Sequence, residues 1–409
     1  METINISVLG DGFVKLGGGI EFIRLCLTGL SAKQSSNSFR ISILIPEDSF
    51  VSQVKSILGP YKRLAVSLLK GRVPVYVKPN VISKETLIEA FRSVCPSGEI
   101  VFYKNTNKNL LKCLAEVKTS VVFPVVRSLG PEFPYPWIGY IYDFQHKYYP
   151  GFFDKEDIVR RDIAFDKTLT DARVVIVNSK AVKNDIEKFC PNHKAKVFSL
   201  PFCPITSPQY LTIDPMVVGK YNIPNKYFII SNQFWVHKAH NIAFEALSLL
   251  HKRLQQSDIN IVCTGATYDH RCPGYLDKLK SSINKLGLTD KIHFLGYIPK
   301  KDQISLMQKS IAVLQPTLFE GGPGGGSVYD AVAYNVPAIA SDIPINREID
   351  HDNVVFFKAN SPVDLAAQML LVLAKHRQPS EPNIALSQSR NYASQMGDTL
   401  LNAISCAMP

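Results

Sequence analysis

Phe319-Glu320-Gly321-Gly322-Pro323-Gly324-Gly325-Gly326-Ser327-Val328-Tyr329-Asp330 follows the apolar run 311–315 (IAVLQ) and opens into the helix-period segment 326–335. Five glycines and a proline in six positions cannot be regular structure, so this is an irregular loop joining a strand to a helix start. Gly324, Gly325, Gly326 and Ser327 then present exposed N–H groups that suit a pyrophosphate. Glu320 before the loop and Asp330 on the first helical turns are placed to accept hydrogen bonds from sugar hydroxyls. A Walker A loop needs Gly-Lys-Ser/Thr after its glycines, and Gly326-Ser327 lacks the lysine, which argues against ATPase chemistry.

Outward from this loop the same alternation repeats. Strands are expected near 227–231, 259–263, 291–295, 311–315 and 337–341, separated by helices near 239–254, 275–286, 301–309 and 326–335. The first half has its own set, with strands near 4–9, 41–45, 73–77, 99–103, 120–125, 137–142 and 173–178. This is the pattern of parallel sheets covered by helices on both faces, so the fold class is α/β with two Rossmann-like domains. Pro201, Pro204, Pro208, Pro215 and Pro224 mark 199–225 as a linker. The expected boundaries are 1–205 and 206–384, with helices at 361–375 and 385–406 closing the chain. Such halves leave a cleft between the carboxyl ends of both sheets, where open α/β sheets bind ligands.

Composition limits the partners. The 409 residues are 46% hydrophobic and 20% charged, which excludes a disordered or collagen-like chain, and the net charge is +11. Residues 1–200 hold 28 basic and 19 acidic side chains, against 18 and 16 in 201–409, so the excess lies in the first half. The stretch 49–84 has no acidic residue but contains Lys55, Lys62, Arg63, Lys70, Arg72, Lys78 and Lys84 among leucines and valines. It reads as a basic amphipathic surface, either a solvated helix face or a contact with an anionic membrane. No signal peptide and no apolar window long enough to span a bilayer is visible, and eight cysteines without CxxC spacing read as reduced thiols. A cytoplasmic protein, peripheral at the inner membrane face, is expected.

Three further segments follow expected strands. Gly17-Gly18-Gly19 stands before a helix that runs to about Leu30, where glycine N–H groups and the helix dipole favour an anion. A purely structural βα turn is the competing reading. Asp143-Phe144-Gln145-His146 ends the strand 137–142, and His146 could relay a proton or bond a sugar oxygen, or simply close a turn. Ser231 to Asn241 contains Gln233, Trp235, His237, Lys238 and His240, with Lys238 at a helix start and suited to phosphate oxygens. Two histidines without a third ligand do not make a metal site.

With these residues in view, the chain resembles the retaining glycosyltransferases of the GT-B fold, family 4 (glycosyltransferase group 1). The carriers are Gly17-Gly18-Gly19, Asp143 to His146, Trp235-x-His237-Lys238, Gly296-Tyr297-Ile298-Pro299, Glu320 to Asp330 and Ser341-Asp342-Ile343-Pro344. The Trp-x-His-Lys and Asp-Phe-Gln-His variants are similar to those in bacterial surface-polysaccharide clusters. The resemblance implies a nucleotide-diphosphate sugar donor in the C-terminal domain, with Lys238 on the pyrophosphate, the Tyr297 and Ile298 main chain on the base, Glu320 on the sugar and Asp330 on the ribose. It implies a glycan or lipid-linked acceptor in the N-terminal domain, with Gly18 and Gly19 near the phosphates and His146 near the reacting sugar. It also implies that 385–409 crosses back onto the N-terminal domain.

The sequence departs from the family in three places. Gln233 stands where an arginine is usual, five residues before the lysine. The acidic pair is two residues further apart than usual, with Asp330 in the second role. The Gly-x-Gly of the family is reduced to Thr264-Gly265-Ala266. The implied reaction is metal-independent hexosyl transfer with retention of configuration. N–H groups and Lys238 would stabilise the leaving phosphate, no cofactor would be needed, and the sequence is read as lacking an Asp-x-Asp metal motif. A nucleotide-sugar epimerase of the same fold is the alternative among enzymes, and it would need an acid/base cluster around the sugar. A nucleic-acid-binding protein is the alternative outside them. It is disfavoured because no RNA-binding motif accompanies the charge, so no nucleic-acid partner is expected.

Overall fold

The structure, a computed structural model, describes residues 3–14, 17–36, 38–47, 82–255, 258–269, 271–375 and 382–409. The strand expected at 73–77, and the basic stretch 49–84 up to residue 81, lie outside the described residues.

Two wholly parallel sheets are present. The first contains β1 (Ile4–Leu9), β2 (Phe39–Glu47), β3 (Glu99–Lys104), β4 (Val121–Val125), β5 (Trp137–Ile141), β6 (Val174–Val177) and β7 (Lys196–Ser199), in the order β3-β2-β1-β4-β5-β6-β7. The second contains β8 (Tyr227–Ser231), β9 (Asn260–Thr264), β10 (Ile292–Gly296), β11 (Val313–Gln315), β12 (Ala338–Ser341) and β13 (Val354–Phe357), in the order β10-β9-β8-β11-β12-β13. The order reverses between β1 and β4 and between β8 and β11, and each reversal opens a crevice at the carboxyl ends of the strands.

The longer helices are α1 (Gly17–Gln34), α2 (Lys84–Arg92), α3 (Asn107–Glu116), α4 (Lys155–Asp171), α5 (Lys180–Phe189), α6 (His240–Arg253), α7 (Tyr275–Lys285), α8 (Lys300–Lys309), α9 (Gly325–Ala333), α10 (Pro362–Ala374) and α11 (Pro382–Ala407). Ser83, Thr106, Ser179 and Ser361 start four of them by accepting a main-chain N–H from three residues on. Strands buried on both faces explain the continuous Val/Ile runs. Ile6 and Val8 pack with Leu27 and Met396 on one side of the first sheet, while Leu9 and Val122 pack with Leu114 and Phe165 on the other. Phe228 and Ile230 pack with Leu247 and Met369, and Ile229 and Val313 pack with Leu306 and Val328, around the second.

α11 returns to the first sheet and lies on α1. Glycines let the two helices touch: a Cβ on Gly397 would stand 2.3 Å from the Gly29 carbonyl oxygen, and one on Gly29 would stand 2.7 Å from Met396. Lys33 and Asp398 pair at 2.7 Å beside the crossing. All eight cysteines are free, and no helix among the described residues is long and apolar enough to cross a membrane.

Candidate functional site

The crevice between β8 and β11 gathers Lys238, Glu320 and a residue the sequence reading missed, Gln315. Fully buried Phe234 anchors the loop after β8, and a 3-10 turn at Val236–Lys238 with left-handed Ala239 turns the chain into α6. Lys238 thus sits just before the helix rather than in it. Lys238 is only 8% exposed, and its ammonium donates to Glu320 Oε1 at 2.5 Å. Glu320, 9% exposed, also accepts from Gln315 Nε2 at 2.8 Å.

Gln315 is wholly buried at the end of β11 and ties the site together. Its Nε2 also donates to the Gly324 carbonyl, and its Oε1 accepts from Asn232 Nδ2 and from Ser327 Oγ at 3.3 Å. The loop after β8, the Glu320 carboxylate and the start of α9 are therefore held by one amide. A polar residue ending an apolar strand was the available signal, the same one that picks out Asp143.

The glycine loop then enters α9. Gly324 (φ +68°) and Gly325 (φ +60°) are left-handed, and Gly324 N–H donates to Asn346 Oδ1 at 2.8 Å. A Cβ on Gly325 would stand 2.9 Å from Glu320 Oε2, so only glycine lets the helix start approach the carboxylate. Gly326 has open space in front of it and Ser327 is buried. Asp330, in the second turn of α9, accepts from Lys300 Nζ, the first residue of α8, which the sequence reading also missed. Burial opposes the Lys300 charge, but the adjacent Asp330 carboxylate outweighs it and holds the pKa above the usual lysine value.

A cavity of about 310 Å³ joins the two halves at this point. Gly18 lines it from the first domain, and Gly325, Gly326, Lys300 and Asp330 line it from the second. Gly17 to Gly19 form the first turn of α1 instead of a loop preceding it. A Cβ on Gly19 would stand 2.3 Å from the Phe13 carbonyl oxygen, whereas Gly18 has no atom within 4 Å. Gly19 therefore serves the turn, and Gly18 faces the space. Two helix starts consequently aim at one cavity with an ammonium beside it, which is an anion-binding arrangement.

The remaining expected residues lie around this centre. Gly265 (φ +127°) approaches the loop after β8 so closely that a Cβ would be 2.2 Å from the Asn232 carbonyl oxygen. Its N–H donates to the Gly296 carbonyl at 2.8 Å, so Gly265 holds two strand ends together. Tyr297 is 81% exposed and Ile298 is buried. Gln233 is exposed and uncharged, but a guanidinium stands beside its loop: Arg271 stacks over Trp235 at 5.0 Å and over Phe153 at 5.5 Å.

His146 is 1% exposed, and its Nε2 bonds Asp162 Oδ1 at 2.9 Å. Burial lowers its pKa and the Asp162 bond only partly opposes this, so the ring is held neutral. It packs against Phe144, Phe153 and Phe165, and it does not line the 310 Å³ cavity. His237 and His240 are buried and pushed down to about 2 and about 3, burial being the main cause and Lys238 the next. His240 stacks on Phe234 at 4.4 Å, with neither ring nitrogen paired.

One correction concerns metals. Asp350-His351-Asp352 is an Asp-x-Asp triplet that the sequence reading passes over. It precedes β13, at the amino end of the strand and so at the sheet edge opposite the site, with both carboxylate residues exposed. Among the described residues no group of three His, Cys, Asp or Glu side chains is disposed to hold a metal ion.

The halves meet through Tyr149 O–H to the Leu318 carbonyl (3.2 Å), Arg271 Nη1 to Gln145 Oε1 (3.1 Å), and the N–H groups of Lys180 and Ala181 to the Glu348 carboxylate (2.8 and 2.6 Å). A Cβ on Gly321 would lie 2.9 Å from the Tyr142 carbonyl oxygen, so the glycine loop also seats against the end of β5.

Comparison with known proteins bears on the same region. Residues 219–390 match the family model described as glycosyl transferases group 1. A curated relative, mannosylfructose-phosphate synthase of Agrobacterium fabrum (strain C58 / ATCC 33970), is 21% identical over 126 residues, 31% of this chain. That stretch spans about a quarter of the relative's length, 27%. Among solved structures, sucrose-phosphate synthase from Thermosynechococcus elongatus is similar with a TM-score of 0.58 and 12% identity, over 99% of this chain and 96% of that one. Anabaena HepE in complex with UDP and glucose has a TM-score of 0.56 and 14% identity, over 99% and 97%. WaaG, a glycosyltransferase involved in lipopolysaccharide biosynthesis, has a TM-score of 0.53 and 12% identity, over 97% and 95%. At these identities the likeness establishes the fold.

Proposed function

We propose that the protein moves a hexosyl group from a nucleotide-diphosphate sugar to a glycan or lipid-linked acceptor, with retention and without a metal, in surface-polysaccharide synthesis, a reading supported by the match of residues 219–390 to glycosyl transferases group 1 and by the two parallel sheets. The observation that carries this reading is the buried Lys238–Glu320–Gln315 constellation beside a cavity into which two glycine helix starts point. The donor pyrophosphate takes the α9 and α1 N–H groups and the Lys238 ammonium, freeing Glu320 for the sugar hydroxyls. Asp330 serves the ribose in place of a glutamate, and releasing Lys300 to the phosphates supplies the charge that Gln233 lacks.

In the transfer, the acceptor oxygen bonds to the anomeric carbon, the bond to the β-phosphate oxygen breaks, and the departing diphosphate takes the hydroxyl proton. Fixed N–H groups and Lys238 stabilise the charge that develops on it. His146, expected near the reacting sugar, is buried on Asp162 and lines neither the 310 Å³ cavity nor its neighbour, so in this reading it supports the turn after β5 rather than acting as an acid. The division at residue 205, with 385–409 counted spatially with the first domain, belongs to this reading. So does a cytoplasmic, membrane-peripheral location favoured by the basic first half. HepE, a neighbour in fold, was solved with UDP and glucose, so a uridine hexose leads the donors to test.

The test is a thermal-shift screen with UDP, GDP, ADP and their hexose conjugates, followed by an assay of nucleoside diphosphate release. A ligand that binds only the folded chain must raise its apparent stability. Stabilisation by one nucleotide, with acceptor-dependent release, is the expected result. No stabilisation by any of them would overturn the reading.

A further inference from the structure

A second cavity, of about 590 Å³, lies between the halves on another face of Glu320. Its size falls in the range of about 300–1,000 Å³ common to small-molecule sites. One wall is apolar, built from Leu318, Phe319 and the segment 343–345. The other wall is α5, which presents Lys180, Asn184, Asp185 and Lys188. Tyr148 stands between them, 44% exposed, with its ring 5.9 Å from Phe319 and its hydroxyl on Asp185 Oδ1.

Given hexosyl transfer at Glu320, we infer that this cavity holds the acceptor, and that the acceptor presents a neutral pyranose to it. Glu320 is the wall common to both sides of the reaction: its Oε2 abuts Gly325, which lines the 310 Å³ cavity, while the residue itself lines this one. A pyranose has an apolar C–H face and a rim of hydroxyls, which matches one aromatic-aliphatic wall opposite one polar wall. An acyl chain would strip water from Lys180, Asn184 and Asp185 without replacing their hydrogen bonds, at a cost of a kind no apolar contact there offsets. A phosphate would meet Glu320, Asp185 and Glu348, three carboxylates against two lysines, so the charge balance favours an uncharged ring. A lipid-linked acceptor would therefore enter sugar first.

The test uses saturation-transfer NMR on the full-length protein saturated with UDP, with methyl glucoside, galactoside and mannoside as probes, each in both anomeric forms. At least one should receive saturation. Tyr148→Ala should weaken that signal about fivefold or more. Asn184→Trp, an exposed position whose enlargement plugs the cavity mouth, should do the same if the truncation disturbs folding. The UDP-induced rise in melting temperature should be unchanged in both variants. Transfer to none of the six glycosides, or equal transfer in wild type and both variants, overturns the assignment. Tyr148-dependent glycoside binding without stabilisation by UDP, GDP or ADP would leave the sugar site standing and remove the donor reading alone.

Discussion

Lys238 and Glu320 form the most consequential contact in the chain, and separating them has a calculable effect. Both are less than a tenth exposed and the link is 2.5 Å. In Lys238→Met, Glu320 keeps only Gln315 Nε2, and a carboxylate is left charged in a site shielded from water. In Glu320→Gln, the ammonium faces an uncharged amide oxygen. Breaking a buried ion pair from one side costs about 3–5 kcal/mol. At about 2–4 °C per kcal/mol for a domain of this size, the lower bound is a fall in melting temperature of about 6–12 °C, with the fold retained. The double variant replaces the pair by two uncharged groups and should fall by clearly less than the sum of the singles, with a coupling of about 1–3 kcal/mol. Turnover should drop more than about tenfold in each single variant, equivalent to about 1.4 kcal/mol of barrier. Calorimetric melting of the four proteins and diphosphate release from the donor measure both quantities. Additive shifts of about 2 °C or less would refute the buried coupling, and near-normal turnover in both singles would refute the site.

The adjacent glycines of α1 should separate stability from binding: Gly19→Ala, whose Cβ would strike the Phe13 carbonyl at 2.3 Å, should lower the melting temperature, whereas Gly18→Ala, with open space, should melt normally yet weaken nucleotide binding. Acid should destabilise the fold through His237 and His240, because their native pKa values of about 2 and about 3 lie below the unfolded value near 6.5, so protons bind the unfolded chain first. That contribution is intact above about pH 6.5 and is lost as pH falls from there, by about 1.4 kcal/mol per histidine at pH 5.5. A His240→Phe variant should lose about 3–6 °C less between pH 7.5 and 5.5 than wild type, and an identical fall would count against the assignment. Asp330→Asn, which frees Lys300 of its partner, should weaken binding of the intact nucleotide more than binding of pyrophosphate, as read by titration calorimetry; equal losses would separate Asp330 from the ribose.

Repeated strand–helix alternation made both sheets legible, because strands buried on two faces must be apolar throughout. β7 and β13 escaped because each is only four residues long at a sheet edge: β7 sets two apolar residues between Lys196 and Ser199, and β13, Val354–Phe357, is apolar throughout but too short to stand out as a buried strand. At the site, Lys238, Glu320 and Asp330 were readable since charge or glycine after an apolar run is a local signal. Gln315 was not, because its meaning lies in partners 83, 12 and 5 residues away. Arg271 was hidden likewise, its ring partners Trp235 and Phe153 coming from two different domains. His146 follows β5 as expected, but its orientation depends on Asp162, sixteen residues on and about two helix turns into α4, which spacing alone does not reveal.

The cross-domain bonds give the cleft its character. Leu318 lies two residues before Glu320 and Gly321 one after it, and Glu348 follows the segment 343–345 that walls the second cavity. The two cavities and the position of Glu320 between them therefore exist together, when the halves are closed. Each such hydrogen bond contributes only about 0.5–1.5 kcal/mol net, since water replaces the partner on opening. A handful of them amounts to a few kcal/mol, small enough that closure is reversible, as for domain interfaces generally. On the proposed function, a diphosphate bridging the α1 and α9 helix starts would add a charged link across the same seam, and the donor would then shift the balance toward the closed form in which Glu320 lines both cavities' common wall.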